Sequence, residues 1–193
     1  KTTAIILAAG QGTRMKSDLP KVLHSLAGKT MLQYALDIAG QPGMEKPVVV
    51  TGHGAELVQR AVGEAGRCVV QQPQLGTGHA VQTAQPLLEG KTDQVVVITA
   101  DMPLLRAETI RRLVEMQSAN DGPVTMLTAI AADPRGFGRV VRSSDGSVEA
   151  IVEEAACTPE QLQIRELNIS VYCFNAAWLW EALKKIKVSA KGE

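Results

Sequence analysis

The chain has 193 residues, 45% of them hydrophobic, enough for one sizeable core and short for two domains of roughly 100–200 residues each. Its 20 Lys and Arg balance 20 Asp and Glu. There is therefore none of the basic excess that nucleic acid or an anionic membrane surface selects, and highly charged disorder is excluded too. Aromatics are only 3%, and a core of Val, Ile, Leu and Ala suits strands covered on both faces by helices.

In chain order, Ala4-Ile5-Ile6-Leu7 reads as a strand, Met31 to Ala39 as a helix and Val48-Val49-Val50 as a strand. Leu57, Val58, Ala61, Val62 and Ala65 then recur at helical spacing. Cys68-Val69-Val70 precedes a Gly-rich loop and the run Ala80 to Leu88. Val95 to Ile98 precedes Ile110, Leu113, Val114 and Gln117, again at helical spacing. These βαβ units predict an α/β, Rossmann-like fold, a mainly parallel sheet flanked by helices, with ligands beyond the C-terminal strand ends. From Val124 the rhythm changes. Val124 to Ile130 is strand-like, and Arg139–Arg142 and Val148–Val152 flank the turn Ser144-Asp145-Gly146 as a β-hairpin insertion. A strand Leu167 to Phe174 follows, then a helix carrying Leu179, Leu183 and Ile186.

The longest purely apolar run, Ala4 to Ala9, falls far below the roughly 20 residues of a membrane span, and no signal-peptide pattern precedes it. A cytoplasmic location without a membrane partner is expected. Cys68, Cys157 and Cys173 form no C-x-x-C pair and read as reduced, small hydrophobes. His24, His53 and His79 are too scattered for a metal motif.

Three loops carry the chemistry. After the first strand come Leu7-Ala8-Ala9-Gly10-Gln11-Gly12-Thr13-Arg14-Met15 and Leu19-Pro20-Lys21. Small residues let backbone N–H groups approach an anion, and Arg14 and Lys21 add positive charge, as a triphosphate site requires; the plain alternative is a surface turn. The dinucleotide pattern G-x-G-x-x-G fails at Met15, and Gly28-Lys29-Thr30 and Gly90-Lys91-Thr92 lack the first glycine of a phosphate-binding P-loop. The second loop, Gln71 to Ala80, leads a Gly-Thr-Gly stretch into a helix, and an amide such as Gln71 can pair with a planar base; its alternative is a flexible helix start. In the third, the strand Val95–Thr99 runs into Asp101, a carboxylate placed to hold Mg²⁺ against phosphate oxygens, or else to cap the next helix.

Together the motifs Leu-Ala-Ala-Gly-Gln-Gly-Thr-Arg-Met, Leu-Pro-Lys-Val-Leu-His, Gln-Leu-Gly-Thr-Gly-His-Ala, Ala-Asp-Met-Pro-Leu-Leu, Gly136-Phe137-Gly138-Arg139, Ile151-Val152-Glu153 and Glu166-Leu167-Asn168 closely resemble the sugar-phosphate nucleotidyltransferases, in particular their N-acetylglucosamine-1-phosphate uridyltransferase branch. The resemblance spans nearly the whole chain. It implies a Mg²⁺-dependent enzyme making UDP-N-acetylglucosamine and pyrophosphate from UTP and N-acetylglucosamine 1-phosphate. It further implies that Leu7, Ala8, Ala9, Gly10, Gly12, Thr13, Gln71, Gly76 and Thr77 bind the uridine nucleotide, that Arg14 and Lys21 contact the phosphates, that Asp101 binds Mg²⁺, and that Gly138, Glu153 and Asn168 line the sugar pocket. The plain alternatives are hairpin geometry for Gly138 and a strand-edge polar residue for Asn168. Two departures stand out. Thr99-Ala100 replaces the aromatic residue and glycine many relatives carry before the metal aspartate, and the family's second metal ligand, a downstream asparagine, has no position before Glu193. Residues 1–193 are therefore expected to be a C-terminally truncated nucleotidyltransferase domain without the left-handed β-helix acetyltransferase domain, and the resemblance implies that the full-length protein is a homotrimer held largely by that absent domain. The rival expectations are a thymidylyl- or cytidylyltransferase of the same fold, or a UDP-sugar-binding module without turnover.

Overall fold

The structure, a computed structural model, describes residues 1–12 and 15–186. The chain divides into two compact units, one formed by residues 1–125 with those from Tyr172 onward, the other by Met126–Val171.

In the first unit, β1 (Thr2–Ala8), β4 (Met44–Thr51), β5 (Arg67–Val70) and β6 (Gln94–Thr99) pair in parallel in the order β5-β4-β1-β6. The last residues of β10 (Glu166–Asn175) add an antiparallel strand, Tyr172–Asn175 lying against Gln94–Val97 of β6. Alternate side chains leave opposite faces of a strand. Ile5, Val48, Val50, Val95 and Val97 thus share a core with Ala80, Val81 and Ala84 of α3 (Thr77–Thr83) and its C-cap, Leu88 of α4 (Gln85–Leu88), and Leu179, Trp180 and Leu183 of α6 (Ala176–Leu183). The intervening residues Ile6, Val49, Val96 and Ile98 are equally buried. Helices α1 (Met31–Ala39), α2 (Ala55–Val62) and α5 (Ala107–Ala119) bury Leu32, Val58, Val62, Ile110 and Leu113, and α1 touches β1, α2 and α5. The mainly parallel sheet flanked by helices is as the sequence predicts.

Local chemistry sets the boundaries. Gly28-Lys29-Thr30, which imitates the end of a P-loop, closes a two-stranded hairpin of β2 (Ser25–Leu26) and β3 (Lys29–Thr30) that hydrophobic patterning does not reveal. Thr30 then caps α1 in a reciprocal box with Gln33. Thr92 of the second imitation hydrogen-bonds the Thr3 hydroxyl and the Lys1 and Gln94 carbonyls, fastening the N-terminus. The run expected from Ala80 to Leu88 breaks into two helices around Ala84, with a proline in the first turn of the second. Helix α2 stops at Val62 because Gly63 takes φ +49, and α6 stops at Leu183, leaving Ile186 outside it.

In the second unit, β8 (Gly138–Arg142) and β9 (Val148–Val152) form the expected antiparallel hairpin, with Arg139 opposite Val152. The first residues of β10 pair with β8, Leu167 with Arg139 and Asn168 with Gly138. Strand β7 (Val124–Ile130) also pairs with β10.

Candidate active site

The parallel strands run outward from β1 to β4 and β5, and the chain then returns to place β6 on the other side of β1. This reversal between β1 and β6 is a topological switch point, where the loops after two neighbouring strands diverge and leave a crevice. The loop after β1 and Asp101 after β6 both begin there.

Leu7 is half-buried and Ala8 and Ala9 are buried, whereas Gly10 is exposed. The Ala9 carbonyl accepts the His53 N–H at 3.2 Å and Gln74 Nε2 at 2.6 Å, tying the loops after β1, β4 and β5 together. Gly12 has φ +62, and a Cβ there would lie 2.6 Å from Cβ of Lys21, so only glycine allows the loop to fold over that lysine. Lys21 in turn reaches Asp101, 80 residues away, with Nζ 2.6 Å from Oδ2. Burial alone would push the Asp101 carboxyl up, but hydrogen bonds from Lys21 and Thr99 and the lysine charge outweigh it and hold the group below the ordinary carboxylate value. Thr13 and Arg14 lie outside the described residues.

Gln71, just past β5, is buried, and its Nε2 donates to the Gly76 carbonyl at 2.9 Å and pairs with Nδ1 of His79 at 3.1 Å. Gly76 precedes α3, and the exposed Thr77 begins it. Gln11, Gln71, Gln72 and Gln74 line a cavity of about 290 Å³ together with Gly52 and His53. Amides dominate its polar lining, and each offers hydrogen-bond donors and an acceptor without bringing a charge.

Magnesium keeps several waters and is commonly held by one or two carboxylates plus substrate phosphates. Among the described residues no group of three His, Cys, Asp or Glu side chains is placed to hold a metal. A single ionised carboxylate with its side chain 35% exposed, as at Asp101, fits an ion whose remaining ligands come from water and phosphate.

In the second unit, the three residues assigned to the sugar meet. Asn168 is the strand partner of Gly138, and a Cβ on Gly138 would lie 3.1 Å from Oε1 of Glu153. Adjacent to them, Arg139 is only 1% exposed; it donates to the Phe137 carbonyl and to Glu154 at 3.2 Å, while Glu154 also accepts the Gly136 N–H at 2.9 Å. The Gly136 hydrogen bond first, then Arg139, keeps the Glu154 carboxyl below its ordinary value. Sequence reasoning did not single out Gln74, His79 or the Arg139–Glu154 pair. Gln74 and His79 sit inside a recognised motif, but their roles depend on which atoms face them after folding.

The fold and the clustered loops define a nucleoside triphosphate transferase class, and the chain belongs to the MobA-like NTP transferase domain family, which it matches over residues 4–168. Among curated relatives it is similar to the bifunctional protein GlmU of Geobacillus thermodenitrificans, at 46% identity over 100% of this chain and 42% of that protein. To GlmU of Enterococcus faecalis it is 47% identical over 94% of this chain and 40% of the relative. The chain thus spans about two fifths of the length of these relatives. Of solved structures, UDP-glucose pyrophosphorylase complexed with UDP-glucose superposes with a TM-score of 0.76 at 19% identity, over 100% of this chain and 82% of that one. CMP:2-keto-3-deoxy-manno-octonic acid synthetase complexed with CTP gives 0.73 at 18%, over 97% and 79%. Those likenesses establish the shared fold. Among the described residues no helix is long and apolar enough to cross a membrane.

Proposed function

We propose that the chain is a Mg²⁺-dependent uridyltransferase that joins UTP and N-acetylglucosamine 1-phosphate into UDP-N-acetylglucosamine and pyrophosphate, in the cytoplasm. The observation that carries this reading is the meeting of Lys21 and Asp101 at 2.6 Å on the switch point of the sheet. The amide-lined cavity and the GlmU relatives support uridine and N-acetylglucosamine as the particular substrates.

In this mechanism the first-strand loop and Gly76-Thr77 offer N–H groups to the nucleotide, Gln71 faces the base, and Gly138, Glu153 and Asn168 take the sugar. An ionised phosphate oxygen of the sugar phosphate attacks the α-phosphorus of UTP. The new P–O bond forms as the bond from the α-phosphorus to the oxygen bridging to the β-phosphate breaks, and pyrophosphate leaves with the electron pair. The nucleophile is already an anion, so no general base is needed, and the barrier is dominated by repulsion between anions. Lys21 neutralises part of that charge from a fixed position, together with Arg14. Magnesium held by Asp101 would supply further neutralisation of the phosphates.

Pyrophosphate release from UTP plus N-acetylglucosamine 1-phosphate, with and without Mg²⁺ and beside CTP and dTTP, tests the reading. Mg²⁺-dependent release with UTP is expected. Preference for another nucleotide would shift the assignment to a thymidylyl- or cytidylyltransferase, and binding of UDP-N-acetylglucosamine without any release would make the chain a binding module.

A further inference from the structure

Gln71 is 5% exposed, and both polar contacts of its amide are made by the nitrogen. The Gly76 carbonyl oxygen 2.9 Å from Nε2 can only accept, so the NH₂ end of the amide must face it. The second N–H points to Nδ1 of His79 at 3.1 Å, which makes Nδ1 the accepting nitrogen and leaves the imidazole proton on Nε2. Both amide hydrogens are thereby committed. Oε1 has no partner among the described residues, and Gln71 lines the glutamine-rich cavity.

We infer that His79 is a positioning residue for base selection: with the Gly76 carbonyl it fixes Gln71 as a pure hydrogen-bond acceptor toward the ligand. An acceptor matches a base whose ring carries an N–H beside a carbonyl, as in uracil, thymine or guanine. It meets a bare ring nitrogen in cytosine or adenine, where two acceptors face each other. Turning the amide over to suit cytosine would set Oε1 against the Gly76 oxygen and would break the bond to His79 as well unless the imidazole proton moved to Nδ1. Without His79 only one anchor opposes the turn. The inference rests on the nucleotide site proposed above and adds which group enforces the choice.

The test is calorimetric affinity for UMP and CMP in the wild type, His79→Phe and His79→Asn. Phenylalanine fills the space without an acceptor, whereas the asparagine carbonyl restores one. The wild type should prefer UMP, the UMP-to-CMP ratio should fall about fivefold in His79→Phe, as loss of one hydrogen bond of ordinary strength dictates, and it should recover in His79→Asn. A ratio unchanged in His79→Phe while both affinities fall together overturns the inference and leaves His79 a packing residue, with the nucleotide site intact. Equal wild-type affinity for the two nucleotides overturns it as well, and binding of neither overturns the proposed function itself. One measurement needs no variant: the ¹⁵N shift of His79 Nδ1 should be that of an unprotonated, accepting nitrogen, and a protonated Nδ1 refutes the inference outright.

Discussion

The switch point of the first unit and the hairpin of the second are held by different physics. Around the former, Ile5, Val48 and Val96 are 0% exposed, and the loops leave strands whose positions are set by apolar burial on both faces. In the second unit β9 has no fully buried residue, and the notable contacts are polar: Arg139 with Glu154, and Arg142 with Glu166 through two bonds of 2.7 Å. Burial is spread over many side chains and tolerates change in any one loop residue. Directional polar contacts concentrate the geometry in a few atoms. Substitutions at the switch point should therefore strike chemistry and spare stability, while those in the hairpin should move a local geometry.

The largest effect is expected from Lys21→Ala. Loss of one preorganised charge facing a transition state costs about 3 kcal/mol, or a fall of more than 100-fold in kcat/KM for pyrophosphate release. The Lys21–Asp101 pair is more than a third exposed on both sides, and such pairs contribute about 0–1 kcal/mol to folding, so the thermal midpoint should hardly move. Steady-state kinetics beside a melting curve separates the two. Unimpaired turnover would remove Lys21 from the mechanism, and a large fall in melting temperature would erase the contrast between the regions.

A smaller and more selective effect is expected from Gly138→Ala. The added methyl would sit 3.1 Å from Oε1 of Glu153, so the carboxylate must yield by a few tenths of an ångström. KM for N-acetylglucosamine 1-phosphate should rise several-fold, with KM for UTP unchanged. Kinetics with one substrate varied at a time decides it, and equal changes in both constants would detach Gly138 and Glu153 from the sugar.

Much of this was legible in the sequence because hydrophobic period reports burial, and burial sets the elements of the first unit. The strand Val124–Ile130 and the helix Met31–Ala39 have the bounds that patterning gives, and the hairpin around Asp145 differs only in starting one residue earlier, at Gly138. The first and third of the motif-bearing loops also fall on either side of the switch point of the sheet. What patterning cannot carry is pairing at long range. Nothing local says that Lys21 meets Asp101 across 80 residues, or that Gln74 reaches the Ala9 carbonyl across 65. The direction of β10 was equally hidden, since a strand's apolar pattern is the same whether its partner runs parallel or antiparallel. Arg139 is the converse case. A lone arginine inside a strand reads as surface, and only the fold shows it buried against Glu154.

The smallest effect sharpens the account of the hairpin. At its turn, Asp145 Oδ1 accepts the Ser143 hydroxyl at 2.6 Å and the Ser147 N–H at 2.9 Å. The first of these bonds, with the second behind it, lowers the carboxyl from its ordinary 3.8 to about 2. Both bonds favour the ionised form, so between about pH 4 and pH 2 the unfolded chain binds the proton before the folded turn does. The stabilisation is therefore complete above about pH 4 and disappears as pH falls through about 2. A ¹³C titration of the Asp145 carboxyl should give a midpoint near 2, and a midpoint near 3.8 would mean that the turn does not hold the charge. Asp145→Asn keeps an acceptor for the Ser147 N–H but no longer titrates, so it should flatten this part of the pH dependence while leaving the β8–β9 pairing in place. If the hairpin instead loosened in that variant at neutral pH, the ionised carboxylate, and not the hydrogen-bond pattern alone, would be what closes the turn.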